Sequence, residues 1–378
     1  MKKAAQPRTA VGLGLILFVA FSTLANCAFA TPNEEKSVLT SPLAGKWYPG
    51  NREKLTAKIQ GFLQQADETD MDNVSALILP HAGYRFSGSV AASAVKEIAN
   101  QSYDRVVIIG PTHRHRMMNA VSVPDGVTHY STPLGEVPLD TAFINTLAEL
   151  DVVQKTKRMH KNEHSVQIEV PLVQYALDGD FKAVPIVTGK LSTGATKQIA
   201  LRLLSLMDQN TLVVVSSDFT HYGPRYRYVP FEENVPENIR ELDMKVFRHI
   251  KHKNLNKYAA FMDKSRTTVC GRHPIGILVA MLGPEQNVKK MAYDTSGHMM
   301  GSYKNSVSYL SAAVTGKWRT KAADFQQKNT PSNSDESAKK QNDSAPLQRE
   351  EKKKLLKLAR RAIDHVFKNN ERPAPGKI

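Results

Sequence analysis

Residues 105–113 read Arg-Val-Val-Ile-Ile-Gly-Pro-Thr-His, and this stretch decides the predicted fold. The four consecutive apolar residues Val106 to Ile109 favour a strand that is buried on both faces, as in a sheet covered by helices. The strand runs directly into Gly110-Pro111-Thr112 and then His113. A second apolar run, Leu212 to Val215, has the same character, so we predict a sheet with several buried strands.

Short β-branched runs alternate with longer amphipathic runs from residue 76 onward, which is typical of an α/β fold with a sheet layered between helices. We predict a single domain over residues 38–316. The predicted strands are Ala76–Leu79, Arg105–Gly110, Ala183–Val187, Thr211–Ser216, Val288–Tyr293 and Ser306–Val314. The predicted helices are Ser89–Asn100, Asp140–Glu149, Ser165–Leu177, Thr193–Asp208, Pro236–Ile250 and Gly271–Leu282.

The first thirty residues have the composition of a signal peptide. Three cationic residues precede an apolar run over residues 11–25, and small residues at positions 28 and 30 suit cleavage after Ala30. Two other interpretations remain open: a lipoprotein modified at Cys27, for which Asn26 is a poor preceding residue, and an uncleaved membrane anchor. We therefore expect an exported protein, periplasmic or extracellular, that meets the membrane only through this leader.

The chain has two cysteines, Cys27 in the leader and Cys270. After cleavage, Cys270 would have no intrachain partner. A single thiol in an oxidising compartment is exposed to oxidation unless it is buried or bound to a metal. Cys270 is therefore either a small buried apolar residue or a metal ligand.

The net charge of +15 lies mainly at the two ends of the chain. The leader contributes +3 and residues 317–378 contribute +8, which leaves +4 for residues 31–316. A nearly neutral domain of this size does not have the basic surface of a nucleic-acid-binding domain. We therefore expect no nucleic-acid partner.

The C-terminal region is predicted to contain a disordered linker and one helix. Residues 317–347 are rich in Gln, Lys, Ser, Asn and Asp, so they cannot bury enough apolar surface to order themselves. Residues 349–367 have apolar side chains at helical spacing, and Pro373 stops the helix. We divide the end of the chain into a linker, 317–347, and a short amphipathic helix within 348–378.

Histidines follow three of the predicted strands at their carboxyl ends, the edge at which open α/β sheets place ligand sites. They are His81, His113 and His221. Imidazoles that converge at one edge serve either metal binding or proton transfer. The spacing matches no short zinc motif, so the residues alone leave both interpretations open.

Six ordered motifs resemble the Memo family, whose bacterial members are called AmmeMemoRadiSam system protein B. They cover most of the predicted domain, and residues 348–377 resemble the opening helix of AmmeMemoRadiSam system protein A. The six motifs are Ala44-Gly45-Lys46-Trp47-Tyr48-Pro49-Gly50, Pro80-His81-Ala82-Gly83-Tyr84, Gly110-Pro111-Thr112-His113, Glu163-His164-Ser165, Ser217-Asp218-Phe219-Thr220-His221-Tyr222 and Cys270-Gly271.

This resemblance implies a fold similar to the class III extradiol dioxygenases, whose non-haem iron is held by two histidines and a carboxylate. It implies His81, His113 and Cys270 as ligands of one transition-metal ion. A thiolate in place of the carboxylate makes copper plausible beside iron, and three ligands fit structural zinc poorly. The same resemblance implies His221 as an acid/base residue, with Asp218 holding its tautomer.

Four further residues are expected beside this pocket. Glu163 is expected either to orient an imidazole or to cap a helix start, and His164 lies next to it. Trp47 and Tyr84 are expected at the pocket rim, with core packing as the alternative for Trp47.

Two functional hypotheses follow from these residues. One is an iron- or copper-dependent oxidoreductase acting on an unidentified small molecule or peptide. The other is a non-catalytic module that holds a metal or a peptide in the same pocket. A partner from the AmmeMemoRadiSam system is implied by the resemblance, but its radical chemistry needs a reducing cytosol and disagrees with export.

Overall fold

A nine-stranded sheet is the centre of the computed structural model, which describes residues 35–67, 69–99, 101–178 and 181–319. The strands in this part of the chain are β1 (Val38–Thr40), β2 (Val74–Leu79), β3 (Arg105–Pro111), β4 (Val121–Val123), β5 (His129–Thr132), β6 (Gly135–Pro138), β7 (Val153–Lys155), β8 (Lys182–Thr188), β9 (Thr211–Ser216), β10 (His221–Tyr222), β11 (Asn287–Thr295) and β12 (Ser306–Thr315).

Eleven α-helices surround the sheet within the described residues. They are α1 (Arg52–Gln65), α2 (Tyr84–Val95), α3 (Thr141–Leu147), α4 (Lys157–Lys161), α5 (His164–Gln167), α6 (Val170–Ala176), α7 (Thr193–Leu206), α8 (Val235–Lys251), α9 (Leu255–Ser265), α10 (Arg272–Met281) and α11 (Ser296–Met300). None of the described helices is long and apolar enough to cross a lipid bilayer.

Parallel strands form the middle of the large sheet. The order is β10-β12-β2-β9-β3-β8-β4-β7, and β11 pairs with β12 outside this path. The neighbours β2, β9, β3 and β8 run parallel, whereas β12 is antiparallel to β2. The separate sheet β1-β5-β6 completes the strand pairing.

Every residue of β2 and β9 is buried, and β3 is buried after Arg105. Helices cover both faces of these strands, so their side chains need no polar face, and this explains the continuous apolar runs in the sequence. The predicted α/β architecture is confirmed. All six predicted strands are present, with ends that differ by up to two residues.

One predicted helix is divided in two. The sequence pattern predicts one helix over Ser165–Leu177, but α5 ends at Gln167 and α6 begins at Val170. Pro171 causes the break, because proline has no N–H to donate and its ring collides with the carbonyl four residues earlier. It is therefore tolerated only in the first turn of α6.

Trp318 shows that the folded region extends beyond residue 317. Its side chain is 3% exposed, and its indole Nε1 donates to the Thr211 carbonyl at 2.9 Å. The boundary predicted between residues 316 and 317 therefore falls inside the described fold. The predicted leader, the rest of the linker and the C-terminal helix lie outside the described residues.

Candidate metal site at the carboxyl edge of the sheet

Two of the predicted histidines meet at the carboxyl edge of the parallel strands. His81 lies two residues beyond the end of β2, and His113 lies two residues beyond the end of β3. Strand β9 lies between β2 and β3 in the sheet. The loops that follow β2 and β3 bring the two rings together near the carboxyl end of β9. Their ring centroids are 5.1 Å apart, nearly perpendicular. His81 is buried, whereas 30% of the His113 side chain is exposed.

A third imidazole, that of His164, completes a compact group. Its ring centroid lies 4.2 Å from that of His113 and 5.3 Å from that of His81. One ring nitrogen from each of the three histidines lies within 4.8 Å of the others, which is close enough for one metal ion to bridge them after small side-chain adjustments. The sequence indicated His164 only as a pocket residue, and its motif, Glu163-His164-Ser165, gave no reason to separate it from Glu163.

The Cys270 thiol lies beside the His81 ring, close to its Nε2 atom. Its Sγ is 3.1 Å from His81 Nε2 and 3.4 Å from the Asp218 carbonyl oxygen. The loop is held close because residue 271 is glycine: a Cβ there would lie 2.9 Å from the Ser216 carbonyl oxygen. Cys270 is outside the compact three-histidine group but faces the same His81 nitrogen.

Glu163 orients His113. One carboxylate oxygen accepts the His113 backbone N–H at 2.7 Å, and the other contacts His113 Nδ1 at 2.9 Å. Burial alone would raise the pKa of Glu163, but the hydrogen bonds and charge of His113 outweigh it and lower the pKa to about 2. Because the carboxylate stays ionised, it accepts the Nδ1 proton and leaves His113 Nε2 free as a ligand atom.

Glu163 also caps the start of a helix. It therefore has both of the roles expected from the sequence, orienting an imidazole and capping a helix. It precedes α5 and accepts the Ser165 backbone N–H at 3.1 Å. The same oxygen lies 3.5 Å from His164 Nδ1. Burial, followed by the neighbouring His113, lowers the pKa of His164 to about 4, so this imidazole is neutral near pH 7.

Asp218 does not hold the tautomer of His221, which corrects the sequence expectation. Asp218 Oδ1 accepts the His81 backbone N–H at 2.8 Å, and burial raises the Asp218 pKa to about 7. The partner of His221 Nδ1 is the Phe219 carbonyl oxygen at 2.9 Å. A carbonyl can only accept, so Nδ1 carries the proton and Nε2 of His221 is left as the basic nitrogen.

Of the two aromatic residues expected at the pocket rim, Trp47 lies there and Tyr84 does not. Trp47 is half-buried and packs against the His164 ring with centroids 4.7 Å apart, so it forms part of the pocket wall. Tyr84 is 2% exposed and packs in the core against Tyr48 and Phe62. Its position at the first residue of α2 points the ring inward, so Tyr84 is a core residue instead of a rim residue.

The donor set fits a transition metal. Three imidazoles and a thiol surround one region, and the Nδ1 atoms of His81 and His113 are already hydrogen bonded to protein groups. Imidazole nitrogen and thiolate sulfur are ligands for iron, copper and zinc. The fold and these side chains define an α/β protein with a candidate metal site at the carboxyl edge of its sheet.

The chain belongs to the Memo-like protein family, whose model matches residues 40–313. Protein MEMO1 from Homo sapiens is 31% identical over 287 residues, which cover 72% of this chain and 95% of the human protein. Protein MEMO1 from Danio rerio is 32% identical over 286 residues, with the same coverage. A MEMO1 family protein from Thermococcus onnurineus is 29% identical over 283 residues, 71% of this chain and 96% of its own.

The predicted membership of the Memo family is thereby confirmed. Among solved structures, an uncharacterized protein from Escherichia coli K12 matches 64% of this chain and all of its own. Its sequence identity is 15% and its TM-score is 0.43, which is too low to support an argument.

Replacing Glu163 with Gln should weaken metal binding by about 10- to 100-fold, the usual cost of losing a group that orients a metal-bound histidine. Glutamine has one acceptor oxygen where the carboxylate has two, so it can accept from the backbone N–H or from the ring Nδ1–H of His113, but not from both. Titration calorimetry with the metal measures this change. Glu149→Gln is the matched control, because Glu149 pairs with Arg202 at the surface. Equal affinities for the two variants would contradict this role of Glu163.

Proposed function

We propose that the protein binds one transition-metal ion, iron or copper, and uses it as an oxidoreductase. His81, His113 and Cys270 are the proposed ligands. The observation that carries the proposal is the convergence of three imidazoles within 4.8 Å, with the Cys270 sulfur 3.1 Å from the most buried of them. Burial lowers the pKa of both His81 and His164, so these imidazoles are neutral near pH 7 and can act as metal ligands.

The choice between iron and copper follows from the donor atoms. Two imidazoles and one thiolate are softer than the two imidazoles and one carboxylate of the extradiol enzymes, which favours copper relative to that set. When bound, the ion would supply one-electron chemistry, which none of the surrounding side chains provides. The protein's part is to fix the ligand nitrogens, which Glu163 does for His113.

His221 is the proposed acid/base residue. Its Nδ1 is held by the Phe219 carbonyl, so only Nε2 can take up a proton from a substrate. Its backbone N–H is fixed by Thr268 Oγ1 at 2.8 Å, and Tyr226 packs edge-on against its ring. These contacts hold the ring in one orientation, which general acid/base catalysis requires. The substrate is an unidentified small molecule or peptide.

A non-catalytic metal-holding module is the second candidate, and His164 is the observation that favours it. If His164 joins His81, His113 and Cys270, four protein ligands are available and a closed tetrahedral site becomes feasible. Three ligands fit structural zinc poorly, but zinc becomes feasible at this site when His164 is the fourth ligand. The two candidates therefore differ in whether one coordination position stays open.

Oxygen consumption by the metal-loaded protein separates the two candidates. We expect purified mature protein loaded with Fe(II) or copper to consume oxygen or produce superoxide with a reductant present, and Cys270→Ala to lose this activity with its fold intact. His252→Ala is the control, because His252 is exposed at the end of α8. Full metal occupancy without redox cycling would favour the module, and stoichiometric zinc in cells would exclude the oxidase.

We also propose that the protein is exported. The support is the composition of residues 1–30 and the need to protect a single thiol outside the cytosol, which metal binding by Cys270 would meet. Sequencing the N-terminus of the secreted protein tests it, with Thr31 expected as the first residue. An AmmeMemoRadiSam partner is not expected if the protein is exported.

A further inference from the structure

A buried carboxyl group lies behind His81 and is not explained by the metal ligands. Glu169 is fully buried at the start of α6, and Ser216, also fully buried, is the last residue of β9. The Ser216 hydroxyl lies between Glu169 and the ring of His81. It donates to Glu169 Oε1 at 2.8 Å and lies 2.8 Å from His81 Nδ1.

The direction of these hydrogen bonds determines the tautomer of His81. A serine hydroxyl has one proton, and here that proton goes to Glu169. Ser216 Oγ can therefore only accept from His81, which places the imidazole proton on Nδ1. The lone pair of Nε2 then points away from Ser216, toward the Cys270 sulfur 3.1 Å away. This is the nitrogen that a metal ion would use.

Glu169 has a second feature that a purely structural role does not explain. Its Oε2 is buried and has no hydrogen-bond partner among the described residues. A buried polar atom without a partner destabilises the folded protein, and an apolar residue of the same size would avoid this cost. The carboxyl group is therefore retained for what its other oxygen does, and among the described residues that oxygen has a hydrogen bond only with the Ser216 hydroxyl.

The rings of His81 and His113 are therefore oriented by different hydrogen bonds. His113 donates directly to the carboxylate of Glu163, at 2.9 Å. His81 reaches the Glu169 carboxyl group only through a hydroxyl, because Ser216 lies between them. Both arrangements leave Nε2 unprotonated on the side of the candidate metal site.

We propose that Glu169 and Ser216 act as a positioning pair that holds His81 in its Nδ1–H tautomer, so that Nε2 is ready to bind a ligand. The consequence for metal affinity rests on the proposed function, but the tautomer itself does not. Neither residue is a catalytic residue, since both act only through His81. We therefore expect the His81 ring to have the Nδ1–H tautomer already in the metal-free protein.

The tautomer of His81 in the metal-free protein tests this proposal. The measurement is a long-range ¹H–¹⁵N correlation spectrum of the histidine rings, recorded above the ordinary histidine pKa of about 6.5. Cys270→Ala serves as the background, because the thiol could otherwise hold the same tautomer by donating to Nε2. In this background we expect His81 to remain in the Nδ1–H form.

Two further substitutions in that background should change the tautomer. Ser216→Ala removes the acceptor at Nδ1, so a mixture of both tautomers is expected. Glu169→Leu frees the Ser216 proton, which can then be donated to Nδ1 and shift His81 toward the Nε2–H form. Ser122→Ala is the matched control, since Ser122 is an equally buried serine whose hydroxyl lies 3.3 Å from a different histidine, His160. It should leave His81 unchanged.

Metal titration of the single variants completes the test. With Cys270 present, Ser216→Ala should weaken metal binding by about 10- to 100-fold relative to wild type, and Ser122→Ala should not. An unchanged His81 tautomer in both the Ser216 and the Glu169 variants would overturn the proposal. If the tautomer shifts as expected while the wild-type protein binds no metal, the positioning pair stands and the proposed function fails.

Discussion

Replacing His81 with Ala should abolish stable binding of the metal ion. His81 is the one imidazole that contacts both the Cys270 thiol and, through its ring, the other two histidines. Loss of a group that only orients a ligand costs about 10- to 100-fold in affinity, so loss of the ligand itself should cost more than about 100-fold. Equilibrium titration with competing chelators, at matched pH, measures this change.

The control for His81→Ala is His252→Ala, an exposed histidine outside the site. His113→Ala should behave like His81→Ala, because both belong to every ligand set that the site allows. His164→Ala shows whether His164 is a ligand. A small loss of metal affinity would leave His81, His113 and Cys270 as the ligands, and a large loss would make His164 a fourth ligand. Retention of wild-type affinity by His81→Ala, with an unchanged circular dichroism spectrum, would contradict the proposed metal site.

Asp243→Ala should strongly destabilise the folded protein. Asp243 is fully buried on α8 and accepts four hydrogen bonds. Its donors are the Thr220 backbone N–H and hydroxyl, the Tyr293 hydroxyl and the Ser308 hydroxyl. Each buried donor left without a partner costs about 1–3 kcal/mol, so we expect a loss of about 4 kcal/mol in the free energy of unfolding, measured by urea denaturation.

The position of Asp243 connects stability to the site. It anchors Thr220, which lies between Phe219 and His221 in the loop that carries the proposed acid/base histidine. Glu241→Ala is the control on the same helix, because Glu241 is exposed and pairs with Lys245, so it should leave the free energy of unfolding almost unchanged. A similar, small effect of both substitutions would show that the Asp243 network does not hold this loop.

The buried strands and the meeting of His81 with His113 could be predicted from the sequence. Continuous apolar runs indicate strands covered on both faces, and in a parallel sheet the carboxyl ends of such strands share one edge. Residues that follow them therefore approach each other whatever their separation along the chain. The structure agrees for these two histidines, whose rings lie 5.1 Å apart.

The role of His164 could not be predicted from periodicity, because it depends on how closely α5 approaches β3. Gly110 makes this approach feasible: a Cβ at that position would lie 2.9 Å from the Ser165 Cβ and 3.1 Å from its carbonyl carbon. The sequence shows a glycine at the end of a buried strand, which indicates close packing there, but it does not show which segment packs against this glycine. Packing between distant segments supplies that information.

The support of His221 by the Phe219 carbonyl was missed for a different reason. Every residue has a backbone carbonyl, so residue types contain no sign of which one accepts a hydrogen bond. Asp218 was the conspicuous polar neighbour in the motif, yet its carboxylate points to the backbone of His81. Similarly, the sequence could not show that Tyr84 turns into the core while Trp47 faces His164.

X-ray absorption at the metal edge is the most direct test of whether His81, His113 and Cys270 bind one metal ion. The sample is the protein purified from the cells that produce it, with its metal content measured per chain. We expect one iron or copper ion with imidazole nitrogen ligands and one sulfur ligand, the sulfur at about 2.3 Å and lost in Cys270→Ala. A metal-free protein, or an ion without imidazole ligands, would contradict the claim.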